Sequence, residues 1–472
     1  MRSRVAQSPR WFSPAAAVLS GLLFALAFPP LEWVLLLPLA LVPWIVALAA
    51  EESRSRALVS GFLFGLAHWC VSIPWIVYVV KQYGSQTPAM GIVCLLLLAA
   101  ILAEWPAVVA WGVVACGPAG STRRIVVFPL LWMASEHARS FVYGGFPWNL
   151  TGHALYRHPI WLQTAAVWGV YGVGALVVTV SCLLAAAVGR KFHPVLCAAV
   201  LVFAVGAFGV ARLAVPQREN DRANAPFPVA ILQPNVSQET RLAGGDAQAY
   251  RAVMNQARAA AAEKPLLIVI PESAFPVTWD RSEFLRRDLM GVAGRSGGGV
   301  IFNDIEELPD GRYYNVARLL GSNGLVGGPY RKVHLVPFGE YVPLPKLFFF
   351  VRQVSREIGE FSAAPAPTTL GGDAAQIGVG VCYEILYPGL IRDEVGGLGF
   401  LGANLLVTIS NDSWYGRAGA QEQHFAGAVL RSVETKRYLL RAAITGISGI
   451  VDEKGRIRGE LGRDRAGIVR GT

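Results

Sequence analysis

Residues 377–384 read Ile-Gly-Val-Gly-Val-Cys-Tyr-Glu, an apolar strand-like run that ends on a thiol, with a carboxylate two residues later. Cys382 is the only cysteine outside the apolar half of the chain. The other five lie in or at the edge of apolar segments: Cys70, Cys94, Cys116, Cys182 and Cys197. A lone thiol in a water-facing domain has no disulfide partner there, which favours a reactive role. A buried small hydrophobe is the alternative that this stretch alone leaves open.

Composition divides the 472 residues into two parts. The chain is 53% hydrophobic and 16% charged, and the apolar excess lies before about residue 215. Apolar runs there reach the roughly 20 residues that cross a bilayer. The sequence therefore predicts a membrane domain of about seven helices over 1–215 and a globular α/β domain over 216–472. The net charge of +10 indicates cytoplasmic flanks and anionic lipid rather than nucleic acid.

The apolar half contains seven candidate spans, at about 13–30, 32–50, 57–80, 88–114, 125–142, 161–188 and 194–213. With the N terminus inside the cell, cytoplasmic flanks carry nine Lys or Arg residues and the opposite loops carry three, as the positive-inside rule expects. An odd number of spans places the second domain outside, which in a bacterium is the periplasm. A cleaved signal peptide is the alternative for the first span, since basic residues precede its apolar run.

Few polar residues interrupt these spans. Glu104, Glu136, His137 and Arg139 are ionisable, and intramembrane charge indicates function by default. Most lie near span ends, where snorkelling to water is the simpler explanation. The aromatic, Gly/Pro-broken loop 143–153 is expected on the same side as the second domain. It either lines a path for lipid or belongs to the interfacial aromatic belt.

From residue 228 the pattern changes to short β-rich runs separated by turn residues. Helical stretches are expected at 247–263 and 423–437, and alternation of strands with helices favours a layered α/β domain. The predicted strands are 229–232, 266–270, 299–302, 324–327, 377–381 and 405–409.

Polar residues cluster where these strands end. Ligands bind beyond the carboxyl ends of strands in layered α/β folds, so the clusters predict a shared rim. A thiolate at Cys382 needs a base, and a carboxylate in an apolar site, such as Glu272, has a raised pKa and suits that role. A lysine such as Lys332 lowers the pKa of a thiol and stabilises an oxyanion. Taken singly, each is better explained as an ordinary strand-end or surface residue, and the functional interpretation rests on their joint occurrence.

Three motifs together resemble a known superfamily. They are Pro-Glu-Ser (271–273), Tyr-Arg-Lys-Val-His-Leu-Val-Pro-Phe-Gly-Glu (330–340) and Val-Cys-Tyr-Glu (381–384). They match the Glu-Lys-Cys triad of the nitrilase, or carbon–nitrogen hydrolase, superfamily. The preceding spans, Gly-Phe-Pro-Trp-Asn-Leu (145–150) and Asn-Asp-Ser-Trp-Tyr-Gly (411–416) narrow the likeness to the apolipoprotein N-acyltransferase family.

The resemblance implies an αββα sandwich and a set of roles. Cys382 would be the nucleophile, Glu272 the general base and acid, and Lys332 an oxyanion stabiliser. The resemblance also implies supporting or substrate-binding roles for further residues near the nucleophile: Glu340, Tyr383, Glu384, Trp414 and Tyr415. The backbone N–H of Tyr383 is expected to complete the oxyanion hole.

The implied activity is acyl transfer from a phospholipid to the α-amino group of a diacylated apolipoprotein, through a Cys382 thioester. The implied enzyme is a monomer of the bacterial inner membrane with its catalytic domain in the periplasm, and no cofactor or metal is expected. A membrane-anchored amidase or nitrilase is the alternative, because the same acyl-enzyme serves both. A transporter with a ligand-binding outer domain is a second rival, but no broken-helix pair or inverted repeat supports it.

Two features depart from the family pattern, and a third segment is interpreted from its own residues. Leu242 stands where many members have a tryptophan that contacts substrate. Residues 466–472 are not followed by the family's eighth span, which a truncated chain or a member lacking that helix would explain. Residues 343–361, with three phenylalanines at 348–350, are expected to form either an amphipathic arm at the lipid surface or a helix on the domain's own core.

Overall fold

The computed structural model describes residues 12–84, 87–188, 193–215, 226–236, 240, 244–342, 360–371, 375–396 and 402–472. Leu242 and most of the expected arm (343–359) lie outside the described residues. Contacts divide the chain into two compact units. The first is Met1–Gln82, Gln86–Val215 and Arg417–Leu430, and the second is Tyr83–Ser85, Pro216–Gly416 and Arg431–Thr472. These units are defined by contacts, whereas the domain bounds 1–215 and 216–472 were predicted from composition. Those domain bounds therefore stay a prediction.

The first unit is helical, which satisfies backbone polar groups within each segment, as lipid requires. Its helices before residue 216 are Phe12–Leu26, Leu37–Ala40, Val42–Ala50, Arg54–Ser72, Trp75–Tyr83, Pro88–Ala115, Thr122–Arg139, Pro159–Leu162, Ala165–Ala187 and His193–Ala214. Among the described residues, three are long and apolar enough to span a membrane: Pro88–Ala115, Ala165–Ala187 and His193–Ala214. The count of seven spans stays a prediction.

A proline explains one break in this unit. The helices Arg54–Ser72 and Trp75–Gln82 are together long and apolar enough to span a membrane, but they are bent by 59° where they meet. Pro74 lies between them, and proline lacks a donor and disfavours helical geometry at the residue before it, here Ile73. Helix packing nearby depends on a glycine, because a Cβ on Gly61 would lie 2.4 Å from the Pro106 carbonyl oxygen.

The loop 143–153 is held by buried charged side chains rather than by snorkelling ones. Glu136 accepts hydrogen bonds from the Thr151 backbone N–H (2.6 Å) and hydroxyl (2.8 Å). Arg139 donates to the carbonyl oxygens of Phe146 (2.6 Å) and Trp148 (2.8 Å). Both side chains are buried, whereas Glu104 and His137 are exposed.

Gln423 lies in the segment 417–430 of the first unit, and its side-chain amide makes four hydrogen bonds. Its Oε1 accepts from the indole N–H groups of Trp75 (3.2 Å) and Trp148 (2.5 Å). Its Nε2 donates to the carbonyl oxygens of Pro29 (3.0 Å) and Ser72 (2.8 Å). One buried amide therefore joins four segments of that unit. The helix that contains it is Ala420–Thr435.

The second unit contains two sheets. Its strands β1 to β13 are, in chain order, Val229–Gln233, Leu267–Val269, Gly299–Glu307, Tyr313–Gly321, Gly324–Leu325, Tyr330–Arg331, Thr369–Gly371, Gln376–Val381, Leu405–Ser410, Tyr438–Ala443, Ser448–Val451, Ile457–Leu461 and Gly467–Gly471. The first sheet has the order β13-β1-β2-β3-β4-β5, with β6 also on β4, and its β1, β2 and β3 are parallel. The second sheet has the order β12-β11-β10-β9-β8-β7, with β8, β9 and β10 parallel.

Two apolar layers hold this unit together. Side chains from both sheets form one core, which includes Ile231, Val269, Val379 and Val407. A second core lies between the first sheet and the helices Asp246–Ala262 and Glu283–Ser296. The helix Pro388–Gly396 packs on β8 of the other sheet. The αββα sandwich implied by the resemblance is therefore confirmed.

Candidate active site

The predicted residues follow strand ends of the second unit. Glu272 lies three residues after β2, Lys332 directly after β6, and Cys382 directly after β8. Trp414 and Tyr415 lie in a 3₁₀ turn, Asp412–Tyr415, beyond the end of β9. Parallel strands end at a common edge, which is why sequence-distant residues meet here.

Lys332 lies between two carboxylates. Its Nζ is 2.9 Å from Glu340 Oε1 and 3.8 Å from Glu272 Oε1. Asn315 on β4 joins the same group, because its Nδ2 donates to both of these oxygens at 2.9 Å. The lysine side chain is only 1% exposed, so these contacts replace water for the buried ammonium.

The environment of Glu272 suits a base. Burial raises the pKa of the Glu272 carboxyl, the charge of Lys332 lowers it, and Glu340 raises it again, with a net shift upward. The Asn411 backbone N–H donates to Glu272 Oε2 at 2.8 Å and fixes the orientation of the carboxylate. A carboxylate held in this way is a stronger proton acceptor than an exposed glutamate.

Lys332 stays charged despite its burial. Burial alone would lower the pKa of the Lys332 ammonium, but Glu340 and Glu272 raise it above its usual range. Glu340 is itself fixed, since the Val336 backbone N–H donates to its Oε2 at 2.8 Å. A permanent cation beside the thiol is what stabilisation of an oxyanion requires.

Cys382 begins the 3₁₀ turn Cys382–Leu386 and has a left-handed backbone, with φ of 54°. The side chain is 5% exposed and borders the core between the sheets. Burial raises the pKa of the thiol, as does Glu272, whereas Lys332 lowers it. The sulfur is thus buried at the edge of the apolar core and has charged neighbours, and its role as a nucleophile stays a prediction.

Glu384 binds backbone N–H groups just before the nucleophile and just after Lys332. Its Oε2 accepts from the Val381 N–H (2.8 Å) and the Tyr330 hydroxyl (3.0 Å). Its Oε1 accepts from the N–H groups of Val333 (2.7 Å) and His334 (3.0 Å), next to Lys332. Burial raises the pKa of Glu384 to about 7, although these donors and Lys332 favour the ionised form. This carboxyl connects the lysine segment to the cysteine turn.

The aromatic residues lie around the same turn. Tyr383 is buried and meets Tyr387 edge-on, with ring centroids 5.2 Å apart. Tyr415 is buried, and burial and the neighbouring Cys382 raise the pKa of its phenol. Trp414 is half-buried. Their predicted roles in substrate binding stay predictions.

Several residues at the site were not predicted from the sequence: Asn315, Tyr330, Ser410 and Arg441. Arg441 alone carried a usable signal, because it interrupts the apolar run Leu439–Ile444. Within the described ranges, no group of three or more His, Cys, Asp or Glu side chains is placed to hold a metal ion.

Comparison with known proteins agrees with this geometry. Residues 20–183 match the apolipoprotein N-acyltransferase N-terminal domain, and residues 228–472 match the carbon-nitrogen hydrolase family. An apolipoprotein N-acyltransferase of Geobacter metallireducens is 36% identical, over 94% of this chain and 86% of its own length. Another, of Methylococcus capsulatus, is 32% identical over 93% of this chain and 86% of its own length.

Among solved structures, an amidase from Nesterenkonia sp. is 19% identical, with a TM-score of 0.38, over 52% of this chain and 89% of that chain. Similarity at that level carries no argument about activity. The family matches to both halves, and the relatives that match most of the chain, do support an assignment. The chain belongs to the apolipoprotein N-acyltransferase family, with a carbon–nitrogen hydrolase domain in its C-terminal half.

Proposed function

We propose that this chain transfers an acyl group from a phospholipid to the α-amino group of the N-terminal diacylglyceryl-cysteine of an apolipoprotein. Relatives named apolipoprotein N-acyltransferase, matched over most of the chain, support the reaction class. Phosphatidylethanolamine or a related phospholipid is the proposed donor, because its glycerol ester supplies the acyl group that a thiol can accept.

One observation carries this proposal. Glu272 and Lys332 lie 3.8 Å apart. The Asn411 N–H donates to Glu272 at 2.8 Å, and the hydroxyl of the preceding residue, Ser410, lies 3.5 Å from Cys382 Sγ. A base, a cation and a nucleophile from three distant parts of the sequence therefore share one site. That combination suits attack on an acyl carbonyl through a tetrahedral oxyanion.

In the first half-reaction, Cys382 Sγ attacks the ester carbonyl carbon while Glu272 takes the thiol proton. The developing oxyanion is stabilised by Lys332 and by the Tyr383 backbone N–H. When the carbon–oxygen bond breaks, Glu272 returns the proton to the glycerol oxygen. Lysophospholipid leaves, and the acyl group stays on sulfur as a thioester.

In the second half-reaction, the neutral α-amino group of the apolipoprotein attacks the thioester carbonyl. Glu272 takes a proton from the attacking nitrogen and passes it to the departing sulfur, so Cys382 is again a thiol. The product is an amide. Each half conserves the proton that Glu272 carries, and no further reactant is needed.

The proposal places the enzyme in the bacterial inner membrane as a monomer, with 1–215 as the membrane domain and 216–472 as the periplasmic catalytic domain. Three long apolar helices, or four if the bent pair is one span, support the membrane part. The excess of basic residues on one set of loops supports the orientation.

The first prediction tests the thioester. Full-length protein in phospholipid vesicles with a labelled acyl chain should acquire label that neutral hydroxylamine releases. Adding a diacylated lipopeptide should move the label into an N-acylated product, measured by mass spectrometry. Cys382→Ala should abolish both signals, because no other group is proposed to accept the acyl chain.

Cys182→Ala is the matched control, since Cys182 is equally buried but lies in the first unit. It should keep both signals. Labelling of the Cys382→Ala protein would show that the nucleophile is another residue. Release of free fatty acid, with no N-acylated peptide, would instead identify a hydrolase in which water resolves the thioester.

A further inference from the structure

A hydroxyl group faces the Cys382 sulfur. Ser410 Oγ lies 3.5 Å from Cys382 Sγ, within donating distance for sulfur. The contact follows from strand register: β8 and β9 are parallel and pair Val381 with Ile409, so the next residues are Cys382 and Ser410. Ser410 is fully buried, and water does not compete for this hydroxyl.

The Ser410 hydroxyl is hydrogen-bonded to an ion pair formed by Asp412 and Arg441. Ser410 Oγ is 2.6 Å from Asp412 Oδ1, and Arg441 Nη2 on β10 donates to Asp412 Oδ2 at 2.7 Å. Arg441 Nε also donates to the Ile447 carbonyl oxygen at 3.1 Å. Asp412 and Arg441 are both fully buried, so neither has the rotamer freedom of a surface pair.

The packing crowds this carboxylate on a further side. A Cβ on Gly446 would lie 2.1 Å from Asp412 Oδ2, so the backbone of that loop lies directly against the oxygen. The row Arg441–Asp412–Ser410 is therefore closely packed and ends at the sulfur.

We propose that Ser410, held by Asp412 and Arg441, is a positioning residue that donates a hydrogen bond to the Cys382 thiolate as it forms. This inference rests on the proposed function, in which Cys382 is the nucleophile. It assigns the sulfur two kinds of support: the charged pair Glu272 and Lys332, and a neutral donor, Ser410, with its own ion pair.

The proton count explains why this donor acts in the reaction rather than at rest. The Ser410 hydroxyl has one proton and two acceptors, Asp412 Oδ1 and Cys382 Sγ. While Cys382 is a thiol, the nearby carboxylate is the stronger acceptor. Once Glu272 has taken the thiol proton, the sulfur carries a charge and competes for the hydroxyl proton. Arg441 meanwhile neutralises Asp412.

The hydrogen bond from Ser410 should change the rate of the chemical step rather than the binding of phospholipid. A thioester sulfur is a weak acceptor, so the hydrogen bond is strongest for the thiolate and the transition states on either side of it. Interactions that are stronger in the transition state than in the ground state raise kcat rather than lower KM. Burial, Glu272 and Asp412 raise the pKa of Cys382, whereas the Ser410 hydroxyl lowers it, which is the direction proposed for this hydrogen bond.

The rival interpretation is that this row only braces the loop after β9. Bracing alone would lower the thermal midpoint of Ser410→Ala, whereas a contact to the sulfur would lower the acylation rate at an unchanged midpoint; Thr408 gives the control for loss of a buried hydroxyl. It lies two residues earlier on β9, is fully buried, and its hydroxyl has no hydrogen-bond partner among the described residues. Thr408→Val therefore removes a buried hydroxyl from the same strand without touching the sulfur.

The experiment compares Ser410→Ala, Thr408→Val and Cys382→Ala as full-length proteins in phospholipid vesicles. Acyl-enzyme formation is followed by quenched-flow and mass spectrometry across a range of phospholipid fractions. Ser410→Ala should lower the saturating acylation rate about 10- to 100-fold, as expected for loss of a hydrogen bond to a charged group, with an unchanged half-saturating fraction. Thr408→Val should stay within about twofold of the parent.

An acylation rate of Ser410→Ala equal to the parent would overturn the inference, as would an equal loss in Thr408→Val. A change confined to the half-saturating fraction would also overturn it, because it would indicate altered lipid binding. If Cys382→Ala still acquires the acyl group, the proposed function itself fails. A dead Cys382→Ala beside a fully active Ser410→Ala leaves the proposed function intact and removes only the role of Ser410.

Discussion

Two buried polar sites, one in each unit, differ in their partners. At the candidate site of the second unit, buried charge meets opposite charge, as in Lys332 with Glu340 at 2.9 Å and Arg441 with Asp412 at 2.7 Å. At Gln423 in the first unit, a buried amide meets neutral partners. Gln423 binds two indole N–H groups and two carbonyl oxygens.

This difference indicates different purposes. A charged group among other charges has a protonation state that its neighbours tune, which is what proton transfer needs. An amide among neutral donors and acceptors does not titrate and only fixes geometry. Substitutions should therefore cost activity at one site and stability at the other.

The largest expected effect is at Glu272. Glu272→Gln keeps the shape and an acceptor for the Asn411 N–H but removes the base, so acylation should slow roughly 10²- to 10⁴-fold. Single-turnover acylation measures the loss, and the thermal midpoint in detergent should stay near that of the parent. An acylation rate within threefold of the parent would contradict the assignment of Glu272 as the base.

Gln423→Met should show the opposite pattern. It fills the same space but leaves two indole donors and two carbonyl acceptors without their partner, which should cost about 3 kcal/mol of unfolding free energy. The readout is thermal unfolding in detergent. Gln256→Met is the control, because the Gln256 amide makes one hydrogen bond, to the Gln233 carbonyl oxygen at 2.9 Å, and should cost about 1 kcal/mol. Equal costs for both variants would mean that the four hydrogen bonds of Gln423 stabilise the fold no more than the single one of Gln256.

A smaller effect is expected in the pH profile of acylation. The base must be unprotonated, and burial raises the pKa of Glu272 above the ordinary 4.5. As pH falls through that raised value, Glu272 gains a proton and kcat/KM should decline, so the acid limb should lie above pH 4.5. Stopped-time assays from pH 4 to 9 locate it. Full activity down to pH 4.5 would mean that another group is the base.

The sequence predicted strands where apolar runs are continuous. β1, β8 and β9 were expected at 229–232, 377–381 and 405–409, and lie at Val229–Gln233, Gln376–Val381 and Leu405–Ser410. β4 and β10 were not predicted, because polar residues such as Asn315 and Arg441 interrupt their patterns. Arg441, a lone charge within an apolar run, serves the site, so that break in the pattern was itself a sign of function.

Motifs identified the candidate triad, but not the residues that support it. Glu272, Lys332 and Cys382 lie in three recognisable segments. Asn315 and Ser410 have no local signal, because their importance depends on which strand pairs with which and in what register. Register between distant strands is set by packing of the whole sandwich, which a local pattern does not contain.

The left-handed backbone at Cys382 has a practical consequence. A φ of 54° suits glycine and strains a residue with a Cβ, at a typical cost of about 1–3 kcal/mol. Cys382→Gly would remove the thiol and this strain together. Such a protein should be more stable than the alanine variant and equally unable to form the thioester. It would therefore be the better variant for determining a structure with both lipid substrates bound and unreacted.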